Sequence, residues 1–230
     1  MLSPVNSPAE QNGYYSNVRK DVLALIPTGI RRLLDVGCGL GATAATAKLE
    51  LGVSEAWGIE ADKAVAAAAQ GRLDRVITGD IETVDLDCPD QYFDCILCAD
   101  VLEHTRDPWI VLKRLMRILQ DEGVMIVSLP NLRHLSCVLK IITDRFEYAR
   151  DGILDKTHLR FFTLHTMRKL FVETGYEIYQ ITENRSHRWQ FKVLDALSLG
   201  LMKPFSVYQY LFVLKKHFNH PISPRRKEPR

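Results

Sequence analysis

Carboxylates and glycines recur at strand-end spacing in the first half of this chain. The run Leu33-Leu34-Asp35-Val36-Gly37-Cys38-Gly39-Leu40-Gly41 takes an apolar strand into an acidic residue and then a turn with glycine at every second position. Glycine has no Cβ, so such a loop turns sharply and lets a ligand approach the main chain. Two further carboxylates follow apolar runs in the same way. Glu60 ends Gly58-Ile59-Glu60, 19 residues past Gly41, and Asp80 stands in Gly79-Asp80-Ile81 after Arg75-Val76-Ile77-Thr78. A strand-end carboxylate at the spacing of Glu60 can accept hydrogen bonds from both hydroxyls of a ribose, each contributing about 1.5–3 kcal/mol. Asp80 suits an adenine amino group, with Ile81 packing on the ring. Acids at the ends of three successive strands point to a pocket for an adenosine-containing cofactor.

Charge bears on which cofactor. Gly37-x-Gly39-x-x-Ala42 satisfies the dinucleotide fingerprint, in which alanine can replace the third glycine. An NAD-dependent dehydrogenase is therefore one reading. Asp35, two residues before the first glycine, argues the other way. Unit charges a few Å apart interact by roughly 1–4 kcal/mol outside the dry interior. Its carboxylate would thus repel a pyrophosphate and attract a ligand carrying a cationic amine and a sulfonium. A third reading is a non-catalytic partner that keeps the fold; the intact set Gly37, Gly39, Gly41, Glu60 and Asp80 weighs against it.

These acidic positions do not stand alone. Tyr92-Phe93-Asp94-Cys95-Ile96-Leu97-Cys98-Ala99-Asp100-Val101-Leu102-Glu103-His104 and Asp121-Glu122-Gly123-Val124-Met125-Ile126-Val127-Ser128-Leu129-Pro130-Asn131 extend the pattern. With the glycine loop and the three acids the chain resembles the class I S-adenosylmethionine-dependent methyltransferases over roughly residues 14–216, these two segments being similar to that family's fourth- and fifth-strand motifs. The resemblance implies S-adenosyl-L-methionine as cofactor and S-adenosyl-L-homocysteine as product. It implies binding through Tyr15, Asp35, Gly37, Cys38, Gly39, Gly41, Glu60, Ala61, Asp80, Ile81, Ala99 and Asp100. Tyr14 and Tyr15 have two readings: they lie over the cofactor, where an aromatic face near a sulfonium gains roughly 0.5–2 kcal/mol, or they form an N-terminal lid packed for stability.

For the acceptor, two histidines stand out. His104 follows the fourth strand, where this family often places a residue beside the transferable methyl. His158 lies in Asp155-Lys156-Thr157-His158-Leu159-Arg160-Phe161-Phe162-Thr163. That segment resembles one in a branch whose members are often linked to sugar or surface-polysaccharide methylation. Histidine is suited to removing a hydroxyl or ammonium proton near neutral pH, so His104 and His158 are the expected catalytic pair. The alternative for each is a structural residue that holds a loop, the role given to His134, His165 and His187. Glu103 is read as structural. The expected acceptor is a small molecule, a sugar or glycan precursor methylated on oxygen; a quinone, phenol or other natural-product intermediate is the alternative. No His/Cys/Asp/Glu group has metal-ligand spacing in the sequence, so no metal is expected.

These residues need a frame to position them. Strand and helix patterns alternate through Leu33–Gly37, Ala42–Leu51, Ala56–Ile59, Lys63–Gln70, Arg75–Thr78 and Phe93–Cys98, after a leading helix over Tyr14–Ile26. Such alternation predicts an α/β doubly wound, Rossmann-like sheet, mostly parallel, with helices on both faces. Asp107 as N-cap and Pro108 at the first helical position start a helix with an apolar stripe, and Gly123 precedes a fifth strand. Thr163 caps another helix that Gly175 ends. Strands Tyr176–Thr182 and Tyr208–Lys215 complete seven strands, with an antiparallel strand at the edge as the family resemblance implies. Residues 131–162 interrupt the alternation and are too long for a plain connector. By elimination they are the substrate cap, and Ser186–Phe205, with an amphipathic pattern, is a second insertion suited to core or homodimer packing.

Composition bounds the rest. A chain of 230 residues favours one domain with a full core. No apolar run reaches the roughly 18–20 residues needed to span a bilayer, and Met1–Gln11 lacks an apolar signal core, which leads us to expect a cytoplasmic protein. The five cysteines form no regular framework, and Cys95 and Cys98 are expected to face opposite sides of one strand. From Lys215 onward six Lys/Arg accompany one Glu, although the whole chain carries only +2. The N-terminal residues 1–13 and the basic tail 217–230 are read as flexible solvated ends, and no nucleic-acid partner is expected.

Overall fold

Leu33 and Leu34 are both fully buried, yet they belong to opposite faces of the same strand. That double burial is why the first strands read as continuous apolar runs rather than alternating ones. The computed structural model describes residues 17–185 and 202–217. Seven strands form one sheet: β1 (Arg32–Val36), β2 (Glu55–Glu60), β3 (Arg75–Thr78), β4 (Phe93–Ala99), β5 (Leu119–Pro130), β6 (Tyr176–Arg185) and β7 (Val207–Lys216). Their order is β3-β2-β1-β4-β5-β7-β6. The first five run parallel, while β7 pairs antiparallel with both β5 and β6. The doubly wound, mostly parallel sheet expected from the sequence is therefore present. Its reversed strand, β7, lies one position in from the edge, with β6 outermost.

Helices cover both faces. Among the described residues these are α1 (Lys20–Leu23), α2 (Ala42–Leu51), α3 (Lys63–Ala69), α4 (Pro108–Ile118), α5 (Leu135–Ile142) and α6 (Leu164–Glu173). One core layer packs Val111, Leu112 and Leu115 of α4 and Met167, Leu170 and Phe171 of α6 against Leu34, Val36, Ile96 and Cys98. The other packs Val22 and Leu23 of α1 and Ala44 and Ala47 of α2 against Leu33, Cys95 and Leu97. Cys95 and Cys98 thus face opposite layers, as their spacing predicts, and both are fully buried. The caps read from the sequence form: the Asp107 carboxylate accepts from Ile110 N–H, and Thr163 and Thr166 make a reciprocal capping box.

Three element boundaries differ from expectation, the simplest being β6, which runs on to Arg185, three residues past Thr182. Among the described residues the leading helix is a single turn at Lys20–Leu23, and Asn17–Arg19 ahead of it have no regular structure. The fifth strand begins at Leu119, before Gly123, because Leu119 pairs with Phe93 and the register then jumps to Cys95↔Val124. The irregularity in the ladder absorbs Asp121-Glu122-Gly123 within the strand. Tyr14, Tyr15, the N-terminal residues 1–13, most of the 186–205 insertion and nearly all of the 217–230 tail lie outside the described residues. Among the described residues no helix is long and apolar enough to cross a membrane.

The 131–162 segment carries α5 and a small core of its own in which Cys137, Ile153 and Leu154 pack with Leu132 and Phe161. It is tied to the short turn Leu102–His104 that follows β4, where the backbone N–H groups of Leu159 and Arg160 both donate to the Glu103 carbonyl, at 2.8 and 3.0 Å.

Among the described glycines, the closest packing lies beneath the glycine loop. A Cβ at Gly58 would sit 2.5 Å from Cys38 Sγ and 2.8 Å from Leu73 Cδ1. Gly58→Ala is therefore expected to destabilise the fold by about 1–3 kcal/mol, measured as a shift in denaturant midpoint. An unchanged midpoint would mean that the loop is not clamped to β2 as described.

Candidate active site

The sheet order reverses between β1 and β4, and in open α/β sheets ligands bind outside the carboxyl ends of the strands at such a switch point. Two cavities lie there. The larger, about 840 Å³, runs from Glu60, Asp80 and Ile81 past Asp100 to His104 and the 150–157 stretch. The smaller, about 240 Å³, is walled by Arg19, Asp35, the Gly37–Gly39 loop and Thr43. Gly37, Ala99 and Asp100 line both.

The glycine loop after β1 is held in place by its own hydrogen bonds. Gly37, Gly39 and Gly41 have φ of 68°, 54° and 75°, values that L side chains rarely adopt. The N–H groups of Gly37 and Cys38 donate to the Ile59 carbonyl, and that of Gly41 donates to Cys38. Gly39 N–H donates to Glu60 Oε2 at 2.9 Å. A pyrophosphate needs free loop N–H groups to cradle it, and all four of these are engaged. Cys38 turns its sulfur toward Gly58, so it offers the site its backbone.

The second and third strand ends supply the other carboxylates. Glu60 is buried, and its second oxygen accepts from Asp62 N–H at 3.0 Å. Asp80 accepts from Glu82 N–H at 2.9 Å and pairs with Arg106 at 3.3 Å. Ile81 beside it is buried and lines the larger cavity, as does Ala61. Gly41 lines neither cavity; it sets the start of α2.

Asp35 and Arg19 set the electrostatics of the smaller cavity. Burial, aided by the nearby charge of Glu60, pushes the Asp35 carboxyl up to about 7, against the opposing pull of Arg19 and of a backbone N–H at Ala44. Arg19 pairs with Asp21 and with Asp100, and its guanidinium also donates to Gln209 at 3.1 Å. Ser128 and Gln209 both donate to Asp100, which adopts φ 57°. Arg19 was not legible as a site residue: its partner Asp100 is 81 positions away, and an arginine ahead of the first helix carries no local pattern.

At the far end of the larger cavity the fold brings together residues distant in sequence. The rings of His104 and His158 meet edge to face, with centroids 4.7 Å apart. His158 Nδ1 lies 3.0 Å from the Ile153 carbonyl. His104 Nδ1 lies 3.3 Å from the Thr157 carbonyl and 3.1 Å from its hydroxyl, while that hydroxyl donates to Asp155. This network assigns the N–H to Nδ1 in both rings, leaving each Nε2 as an acceptor. Burial, and then the neighbouring His158, holds His104 below the ordinary imidazole range. Glu103 is 1 % exposed and its Oε2 has no hydrogen-bond partner; burial raises its carboxyl well above the usual range. Ligand atoms of Glu103, His104 and His158 all lie within 4.8 Å of one another. Sequence spacing gave no such group, because His158 is contributed by the insertion.

Residues 9–181 match the family described as a methyltransferase domain. A ubiquinone biosynthesis O-methyltransferase of Bradyrhizobium diazoefficiens is 32% identical over 126 residues, 54% of this chain and 49% of that protein. An uncharacterized methyltransferase of Mycobacterium bovis is 31% identical over 128 residues, 52% of this chain and 63% of that one. The chain thus spans about half to just under two thirds of the length of these curated relatives. Among solved structures, a SAM-dependent methyltransferase from Archaeoglobus fulgidus superposes with a TM-score of 0.68 at 19% identity, over 92% of this chain and 100% of the other. With a family match across most of its length and acids at three neighbouring strand tips, the chain belongs to the class I S-adenosylmethionine-dependent methyltransferases.

Proposed function

We propose that this chain transfers a methyl group from S-adenosyl-L-methionine to an oxygen of a small hydroxyl-rich acceptor, a sugar or glycan precursor. The donor set fits the cofactor: Glu60 suits the ribose hydroxyls, while Asp80 and Ile81 suit the adenine. Asp35 and Arg19 face the smaller cavity with opposite charges, which suits the amine and carboxylate of a methionine moiety. When bound, the cofactor supplies a methyl carbon made electrophilic by its sulfonium. His104 and His158 then activate the acceptor hydroxyl at the cap end of the larger cavity.

The observation that carries the acceptor class is the outer wall of that cavity. Arg150, Asp151, Asp155, Lys156 and Thr157 line it beside His104, and convergent polar side chains of this kind suit a polyol. A phenolic, quinone-like acceptor is the second reading. It is favoured by the name of the Bradyrhizobium relative and by the Phe146, Tyr148 and Phe161 cluster in the cap. Incubation with methyl-labelled cofactor and parallel panels of nucleotide sugars, oligosaccharides and catechols, read by mass spectrometry, separates the two. Label confined to catechols would overturn the sugar reading.

Three variants test the assignments. Glu60→Ala is expected to weaken S-adenosylhomocysteine binding by about tenfold or more; an unchanged calorimetric affinity removes Glu60 from the site. His158→Ala should lower turnover with that affinity preserved, whereas full activity returns the residue to a structural role.

Asp35 makes the third test a pH series. Its carboxyl titrates near 7 in the protein alone and must be ionised to pair with a ligand amine. Affinity for S-adenosylhomocysteine should therefore fall as pH drops below 7, by up to about tenfold per unit. Asp35→Asn should flatten that dependence between pH 5.5 and 7.5, and an equally steep profile in the variant would dismiss the pairing.

A further inference from the structure

We propose that Glu103, His104 and His158 form a site for one divalent transition-metal cation of the zinc class, at the acceptor end of the larger cavity. Three observations converge on it. The three ligand atoms lie within 4.8 Å of one another. Both imidazoles are fixed by Nδ1 contacts to backbone carbonyls, at 3.0 Å for His158 and 3.3 Å for His104. This is the arrangement that metal-bound histidines use to set tautomer and ring angle, with Nε2 left to bind. Finally, Glu103 keeps an unpartnered oxygen although its side chain is almost wholly buried. An orphaned buried carboxylate oxygen is costly, and a cation between it and the imidazoles supplies the missing partner.

The donor set selects the ion. Two imidazoles and one carboxylate suit zinc, cobalt or ferrous iron, whereas magnesium and calcium prefer all-oxygen ligands. Bonds of about 2.0–2.2 Å would draw the ligand atoms to roughly 3–3.5 Å from one another. Three protein ligands leave at least one position open, the pattern of catalytic rather than structural sites, and His104 lines the cavity on that side.

The consequence for catalysis rests on the proposed function; the site itself does not. An acceptor hydroxyl bound to the cation is more acidic and releases its proton to solvent. Its oxygen forms the bond to the methyl carbon as the carbon–sulfur bond breaks, and the electron pair leaves on a neutral thioether sulfur. Nothing is oxidised or reduced. The histidines then act on the acceptor through the ion they hold.

The test uses the full chain, stripped with a chelator and titrated calorimetrically with Zn²⁺, Co²⁺ and Mg²⁺ in turn, with the visible spectrum recorded for Co²⁺. The expected result is one Zn²⁺ or Co²⁺ per chain, a Co²⁺ spectrum reporting nitrogen and oxygen ligands, and affinity lowered about tenfold or more in Glu103→Gln and His158→Gln. If Glu103→Gln does not fold, His104→Gln on the cavity wall is measured instead. No binding of either transition ion, heat with Mg²⁺ alone, or equal affinity in the variants overturns the site. S-adenosylhomocysteine is titrated in parallel: a chain that binds it but takes no cation sinks only this site. A chain that takes the cation but not the cofactor sinks the proposed function and leaves the site standing.

Discussion

A single carboxylate, Glu60, ties the end of β2 to the turn at the end of β1. Its Oε2 accepts from Gly39 N–H and its Oε1 from Asp62 N–H. These bonds hold the glycine loop in its left-handed conformation and at the same time start α3. Beneath it, Gly58 leaves just enough room for Cys38 and Leu73 to pack. The rest of the pocket is measured from this junction: β1 presents Asp35 on one side, and β3 presents Asp80 on the other. A loop pre-set by the protein needs little ordering when a ligand arrives, which lowers the entropic cost of binding.

The same junction explains the choice between cofactors that share a fold. Dinucleotide loops and this one have similar glycine spacing, and that spacing alone favours neither. The hydrogen bonds separate them, because the N–H groups of Gly37, Cys38, Gly39 and Gly41 all donate within the protein. Charge then acts in the same direction. Asp35 is held so poorly solvated, and so near Glu60, that it gives up its proton only near neutrality; a cationic ligand relieves the penalty that an anionic one would deepen. Arg19, pinned between Asp21 and Asp100, puts the opposite charge within the same small cavity.

Much of this frame was readable from residue patterns. Double-sided burial gives β1 and β4 their unbroken apolar runs, and strand-end acids at Asp35, Glu60 and Asp80 survive as the pocket's lining. Caps at Asp107 and Thr163 follow from local chemistry, so they too were legible. What escaped was long-range or irregular. Gly123 reads as preceding the fifth strand, but a register jump opposite Phe93 starts that strand earlier, at Leu119. Arg19 gains its place from partners at Asp100 and Gln209, and no local spacing encodes that. Glu103 reads as a helix-flanking acid until the insertion folds back and sets His158 beside it.

That insertion is joined to the fourth strand tip through main-chain atoms: the Glu103 carbonyl receives the N–H groups of Leu159 and Arg160. A backbone clasp places no demand on which side chains follow or precede it. The latch therefore fixes the main-chain path at Leu159 and Arg160 and leaves the cap's side chains free to vary in size and polarity, while the strand-tip loops around Glu60 keep their own hydrogen bonds.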